Sequence, residues 1–122
     1  MNTTLLSLVL DAAEPDAESA FWHRLLGGSL STTDSHHFLQ VEGMPVLVVQ
    51  RVPGHLPPDW PDGGDQQMHF DLRTDDPAAT DRLAVEAGGR RLRPAPGVDL
   101  EQHPGALVYA SPAGHPFCVR PA

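Results

Sequence analysis

The stretch Gln66–Gly89, QQMHFDLRTDDPAATDRLAVEAGG, decides the fold because a strand pattern passes directly into a helix pattern. Met68, Phe70 and Leu72 alternate with polar residues over Gln66–Arg73. Since side chains along a strand point alternately to opposite faces, this spacing predicts a strand with one apolar and one polar face. The apolar face needs a helix to cover it.

The helix that follows is marked at both ends. Pro77 comes after Asp76, a typical capping residue, and Gly88 is a typical left-handed terminator, which predicts a helix between them. The opposite face of the strand carries His69 and Asp71, and nothing in the local pattern covers it. We therefore expect that face to line a site.

A second copy of the same unit opens the chain. The segment Thr4–Asp11 alternates as a strand, and a helix is expected from Pro15 to the glycine at Gly27. The two units match in order and spacing, which indicates an internal duplication. Residues at helical spacing predict that the first helix covers the face of Leu6, Leu8 and Leu10 with Ala17, Ala20, Phe21 and Leu25, widened by Trp22 and Leu26.

Each helix is followed by three shorter strand patterns, so each half reads as βαβββ. Module one covers about residues 1–52 and module two about residues 66–122, with a linker at 53–65 that is rich in proline and glycine. Residues 94–104 form a second long loop, and both loops are candidates for lids. The expected strands are 29–33, 36–42 and 45–52 in the first half, and 90–93, 106–110 and 115–120 in the second.

Composition limits the class of protein. A chain of 122 residues makes one domain of ordinary size. The net charge of −8, with no lysine, argues against nucleic acid or an anionic membrane as a partner. The single cysteine, Cys118, leaves no internal disulfide, and the start of the chain lacks the features of a signal peptide or membrane span, so we expect a cytoplasmic protein.

The segments MHFDL, DPAATDRLAVEAGG and SPAGHPFCV, together with the repeated unit, resemble the vicinal oxygen chelate superfamily, in particular its glyoxalase-like, bleomycin-resistance-like and dioxygenase-like bacterial domains. The resemblance implies an α+β fold of two tandem βαβββ modules that form a cup-shaped mixed sheet with the helices outside. It also implies a small-molecule ligand in the cup, and it allows a homodimer.

Metal-dependent members of the superfamily place ligands on the first and fourth strands of each module. The resemblance carries those positions to Ser7, Gln50, His69 and Cys118. Ser7 and Gln50 are neutral, weak ligands, and Cys118 favours a soft metal for which the sequence shows no matching partner. We therefore expect no catalytic metal and no other cofactor.

The sequence is compatible with two functions. In the first, the cup sequesters a small, partly apolar molecule, with Phe38 and Trp60 as apolar contacts and Ser7, Gln50, His69, Asp71 and Cys118 as further ligand-binding residues. In the second, the protein is a metal-independent enzyme of the lyase, isomerase or dehydratase type, in which His69 transfers a proton. Turnover of a substrate would distinguish the two.

Overall fold

The computed structural model describes residues 2–100, 103 and 105–122, which divide into two compact units between Leu56 and Pro57. The first unit consists of β1 (Ser7–Ala12), α1 (Pro15–Leu26), β2 (Ser29–Thr32), β3 (His36–Gln40) and β4 (Val46–Arg51). The second consists of β5 (Phe70–Thr74), α2 (Pro77–Glu86), β6 (Arg90–Arg93), β7 (Leu107–Ala110) and β8 (Pro116–Pro121). The predicted α+β class with two tandem βαβββ modules is confirmed.

Each unit has a four-stranded mixed sheet with the same topology. The strand orders are β1-β4-β3-β2 and β5-β8-β7-β6. The first and last strands of each unit pair in parallel, and the remaining neighbours are antiparallel. A parallel pair needs a long crossover connection, which here includes the helix, so the helix is carried onto one face of its sheet. The other face stays uncovered within that unit.

The core of the first unit lies under α1. Leu39 of β3 faces Leu47 of β4, and Val49 continues the same sheet face. All three side chains are buried, as are Phe21 and Trp22 of the helix, whose rings meet edge to face with centroids 5.0 Å apart. This is the helix-covered face that the alternation of the strands predicts.

The buried face of α1 differs from the expected one. Ala17 and Ala20 are exposed, and the expectation that they belong to the apolar stripe is wrong. The helix instead buries polar side chains that have partners: Ser19 contacts a histidine of β3, and the carboxylate of Glu18 accepts a hydrogen bond at 2.9 Å from the indole of Trp22 on the same helix. The buried residues of the helix are Pro15, Glu18, Ser19, Phe21 and Trp22.

The core of the second unit is built around two stacked rings. Tyr109 of β7 lies opposite Phe117 of β8, and their rings stack with centroids 5.1 Å apart. Both are fully buried, together with Val119 and, on α2, Ala84. The predicted cap of α2 is present, since an oxygen of Asp76 accepts a hydrogen bond from the Ala79 amide at 3.0 Å.

Strand β1 begins later than its sequence pattern predicts. We expected it from Thr4, with Leu6 on the covered face, but it begins at Ser7 and Leu6 is 82% exposed. Ser7 pairs with Val46, and the residue before Val46 is Pro45, which has no N–H to offer a partner strand. The apolar pattern therefore begins before the first residue of β1 that can pair with β4.

Strand β5 shows the same displacement for the same reason. Its ladder begins with Phe70 opposite Phe117, and the preceding Pro116 has no N–H for a residue ahead of Phe70. Gln67 also has a left-handed φ of 68°, which breaks the extended run. Met68 is consequently 72% exposed, and its expected place on the core face is wrong.

The loop expected at 94–104 falls only partly within the described residues, since 101, 102 and 104 lie outside them. Neither of the helices in the described part of the chain is long and apolar enough to cross a membrane.

Candidate functional site

The uncovered face of the first sheet carries three of the residues predicted for ligand binding. Ser7 of β1 and Gln50 of β4 alternate onto this face, and Phe38 of β3 lies opposite Val48 on it. Ser7, Phe38 and Gln50 are all half-buried. The shared face agrees with the alternation, while their role in binding stays a prediction.

A chain of hydrogen bonds fixes the polar groups of this face. The Gln50 amide nitrogen donates to Asp11 Oδ1 at 3.4 Å, so the amide oxygen is left to face His36 Nε2 at 3.3 Å. An amide oxygen only accepts, so His36 carries its proton on Nε2 in the neutral ring and its Nδ1 accepts from the Ser35 hydroxyl at 2.7 Å. Asp11 thereby sets the orientation of Gln50 and, through it, the tautomer of His36.

The sequence did not single out His36, and the structure makes it part of this face. Its ring lies nearly parallel to that of Phe38, with centroids 6.2 Å apart and 20° between the planes. The two residues are two positions apart on β3, so the same alternation that placed Phe38 would have found His36. Apolar and polar groups therefore stand side by side on this face.

The uncovered face of the second sheet brings His69, Asp71 and Arg120 together. His69 Nε2 lies 3.3 Å from Asp71 Oδ1, and Arg120 Nε lies 3.4 Å from Asp71 Oδ2. The side chains of His69 and Asp71 are 36% and 48% exposed, so solvent and solutes reach both. The predicted neighbourhood of His69 and Asp71 on one face is present.

Cys118 joins the same cluster because β8 pairs in parallel with β5, where Cys118 is the register partner of Asp71. One ligating atom from each of His69, Asp71 and Cys118 lies within 4.8 Å of the other two. The two donors beside Cys118 in this cluster are an imidazole and a carboxylate, which are not soft ligands, so the expectation that Cys118 has no matching partner for a soft metal stays a prediction. Burial, and then the negative charge of Asp71, raises the pKa of the Cys118 thiol, while Arg120 acts in the opposite direction.

Tyr109 lies on the helix side of the second sheet, opposite Phe117. Its hydroxyl donates to Asp81 of α2 at 2.6 Å, and Arg91 of β6 contacts the same carboxylate at 3.2 Å. Arg91 also donates to the carbonyl oxygens of Pro94 and Ala95 at 3.0 and 3.1 Å. This arginine therefore ties the loop after β6 to α2, which is a structural role.

Trp60 lies in the segment between Pro57 and Asp65, which has neither helix nor strand, and its side chain is half-buried. Its proposed contact with a ligand stays a prediction.

A second histidine of β3, His37, faces the opposite way from His36. His37 is 4% exposed and lies under α1, where Nδ1 is 2.7 Å from Ser19 Oγ and Nε2 is 3.4 Å from Asp16 Oδ1. Ser19 is itself 2% exposed, so this serine–histidine pair is closed to substrates and holds the helix on the sheet.

The fold is that of the vicinal oxygen chelate superfamily. Within it, a family model described as a glyoxalase-like domain matches residues 7–120, and the chain belongs to that family. Comparison with functionally curated proteins finds no match.

Solved structures of low sequence identity share the fold along nearly the whole chain. A glyoxalase-related enzyme from Fulvimarina pelagi is 20% identical, with a TM-score of 0.70 over 99% of this chain and 89% of that one. A glyoxalase/bleomycin resistance protein from Albidiferax ferrireducens T118 is 14% identical, with a TM-score of 0.64 over 97% and 98%. A mutant of the fosfomycin resistance protein FosX from Listeria monocytogenes, complexed with Mn(II) and 1S,2S-dihydroxypropylphosphonic acid, is 11% identical, with a TM-score of 0.67 over 98% and 90%.

The four positions to which the superfamily's metal ligands were carried do not fit a hard divalent ion in this chain. Ser7 supplies only a hydroxyl, and the amide of Gln50 is already engaged with Asp11 and His36. Manganese prefers oxygen ligands, mainly carboxylates, whereas Cys118 offers sulfur.

Proposed function

We propose that this glyoxalase-like protein binds a small, partly apolar molecule through the uncovered faces of its sheets, as a sequestering or resistance-type protein. One observation carries the proposal: on the first face, the hydrogen-bonded groups of Asp11, Gln50 and His36 stand beside Phe38 and Val48. Ligand sites typically combine an apolar lining with a few fixed polar groups.

The polar groups of the first face are held before any ligand arrives, which favours binding. Gln50 does not have to choose its orientation on binding, because Asp11 has already fixed it. Fixing a side chain beforehand removes part of the entropic cost of association, about 0.5–1.5 kcal/mol for each flexible side chain. The ring pair of His36 and Phe38 adds a flat surface against which an apolar or planar part of a ligand would stack.

The binding test begins with mass spectrometry of the purified protein under native conditions, followed by a thermal-shift screen of small molecules on stripped protein. A compound that raises the melting temperature is titrated by calorimetry against four proteins: the parent chain, Gln50→Ala, Phe38→Ala and Arg82→Ala. Arg82 is exposed on α2 and serves as the matched control. We expect weaker binding in the first two variants and unchanged binding in the control.

If all three variants bind the compound as the parent does, the first face is not the site. If no compound is carried through purification and none raises the melting temperature, the binding function itself is refuted.

A second candidate function is metal-independent catalysis by His69. The pairing of His69 with Asp71 at 3.3 Å favours it, since an imidazole oriented by a carboxylate is a common arrangement for general acid–base catalysis. The discriminating measurement is product formation from the bound compound. His69→Gln should abolish turnover with little change in affinity if His69 transfers a proton, whereas recovery of the compound unchanged from the parent protein would exclude catalysis on that compound.

A further inference from the structure

We propose that a cavity beside α2 in the second unit is a separate binding site for a small, neutral, apolar molecule that carries a hydroxyl group, of the phenol type. The cavity has a volume of about 480 Å³ and lies between α2, β6 and the loop that follows β6. Its lining includes neither the residues of the first uncovered face nor the cluster of His69, Asp71 and Cys118. The site is therefore additional to the one proposed above.

The cavity has an apolar wall and the size of a ligand site. Val85 of α2, Leu92 of β6 and Pro96 of the following loop contribute to its lining. Val85 is 50% exposed, so an apolar body bound beside it would remove apolar surface from water, which favours binding. The volume falls within the range of about 300–1,000 Å³ that is typical of ligand pockets.

A β-bulge in β6 brings Leu92 into this wall. Arg91 pairs with Tyr109 of β7. Arg93 pairs with the adjacent Val108, so Leu92 is an extra residue in the edge strand. Neighbours on a regular strand face opposite ways, whereas Arg91 and Leu92 both line the cavity. Bulges commonly redirect a side chain in this way beside a functional site.

The polar group that the cavity offers is one oxygen of Asp81. Its Oδ1 accepts from the Tyr109 hydroxyl at 2.6 Å and lies 3.2 Å from Arg91 Nη1. None of the described residues donates a hydrogen bond to Oδ2. Since every buried side-chain nitrogen or oxygen of those residues has a partner, Oδ2 is not buried. A carboxylate oxygen only accepts, so a ligand bound here has to donate an O–H or N–H to it.

The charges at the cavity favour a neutral ligand. The carboxylate of Asp81 is balanced by the guanidinium of Arg91, and the two side chains are 17% and 10% exposed. A cation would be repelled by Arg91 and an anion by Asp81, whereas a hydroxyl donates to the carboxylate without adding charge. Arg90, the other charged residue at the cavity, pairs with Ala110 and so projects to the opposite sheet face from Arg91.

The loop on one side of the cavity is held in place without a ligand. Arg91 donates to the carbonyl oxygen of Ala95 at 3.1 Å, and the Val98 amide donates to the same residue at 3.2 Å. Pro96 and Gly97, which line the cavity, lie within this turn. The loop therefore needs little ordering on binding, which lowers the entropic cost of association.

The test uses para-ethylphenol as the probe and its methyl ether, para-ethylanisole, as a matched compound without the O–H. Each is titrated against the full-length, isotope-labelled protein, and binding is followed by the NMR signals of the backbone amides. We expect saturable shifts at Val85, Leu92 and Gly97 with the phenol. The ether should bind at least about tenfold more weakly, because it cannot donate to the charged acceptor.

Two variants and a control decide whether the named residues form the site. In Asp81→Asn the amide oxygen has to face Arg91, which only donates, so the NH₂ group takes the place of Oδ2 and the acceptor is lost. Affinity for para-ethylphenol should fall about tenfold or more. Val85→Trp should fill the cavity and block binding, whereas Arg82→Trp, at an exposed position on the same helix, should bind as the parent does. Because Val85 is exposed, its variant decides the matter even if Asp81→Asn fails to fold.

The proposal is overturned if para-ethylphenol causes no saturable shifts at Val85, Leu92 and Gly97. It is equally overturned if the ether binds as tightly as the phenol, or if Val85→Trp binds the phenol as the parent does. None of these results affects the ligand-binding proposal for the first face, which uses other residues and another measurement.

Discussion

The hydroxyl of Tyr109 donates a hydrogen bond of 2.6 Å to Asp81 and joins the last antiparallel pair of the second sheet to α2. Burial, then the hydrogen bond and negative charge of Asp81, raises the pKa of Tyr109 far above its usual value near 10, and the charge of Arg91 opposes this only in part. The link therefore exists only while the phenol is protonated.

Tyr109 is the only tyrosine in the chain, so its ionisation can be followed directly by ultraviolet absorbance. We expect no phenolate in the folded protein at pH values where a free tyrosine is already ionised. Since the pKa is raised by folding, the contribution to stability is complete below about pH 10 and decreases as pH rises above it. Tyr109→Phe should lose this extra alkaline destabilisation, and a normal titration near pH 10 in the folded state would contradict the prediction.

Two adjacent glycines at the end of α1 provide a matched pair of substitutions. Gly27 and Gly28 both have a left-handed φ, 76° and 84°, so alanine at either should cost about 1–2 kcal/mol. A methyl group at Gly27 meets nothing within 4 Å, whereas at Gly28 it collides with the carbonyl oxygen of Gln40 and lies 2.9 Å from Val41. We expect Gly28→Ala to destabilise the protein by about 1–3 kcal/mol more than Gly27→Ala in chemical denaturation. Equal losses would show that the contact with β3 is not tight.

The position of the core in the second unit can be checked with Phe117 and Met68. Phe117 is fully buried, and Phe117→Ala should cost about 3–5 kcal/mol in the free energy of unfolding. Met68 is 72% exposed, and Met68→Ala should stay within about 0.5 kcal/mol. Comparable losses for the two would mean that the strand continues ahead of Phe70, as its sequence pattern alone predicts.

The contact between α1 and β3 is testable through Ser19. Ser19→Ala leaves the buried Nδ1 of His37 without its hydroxyl partner, which should cost about 1–3 kcal/mol. Ser31→Ala, at an exposed position on β2, is the control and should have little effect. If both variants unfold as the parent does, the histidine does not hold the helix on the sheet.

The order of helices and strands was predictable because local signals mark it. Asp76 and Pro77 favour the start of a helix whatever the rest of the fold. The alternation of Phe70 and Leu72 with polar residues assigns the two faces of the strand even when the ends of the strand are not known. The same alternation placed His69 and Asp71 on one face. Local signals do not say where a ladder stops, which depends on a partner such as Pro116 far along the chain.

The parts of the site that were missed depend on strand register. His36 meets Gln50 because β3 and β4 pair in one particular register, and Cys118 meets Asp71 because β8 returns to lie beside β5. A sequence without that register shows four separate residues. The buried polar side of α1 was missed for a similar reason, because burial of Ser19 is favourable only where His37 lies opposite it as a hydrogen-bond partner.

The strand orders also affect how the chain folds. In each unit the strand that comes last in sequence, β4 or β8, occupies an inner place in the sheet. It lies between the first strand of the unit, β1 or β5, and the strand that precedes it in sequence, β3 or β7. Neither sheet can be completed until that strand inserts. Until then β1 lacks its pairing with β4, and β5 lacks its pairing with β8, although these partners are distant along the chain. Such non-local pairing slows folding, and until insertion the open edges are exposed to association with other chains. A cell that makes this protein would therefore depend on rapid insertion of β8. Substitutions at Phe117 or Val119 should lower the yield of soluble chains by more than the loss in stability of the folded protein accounts for.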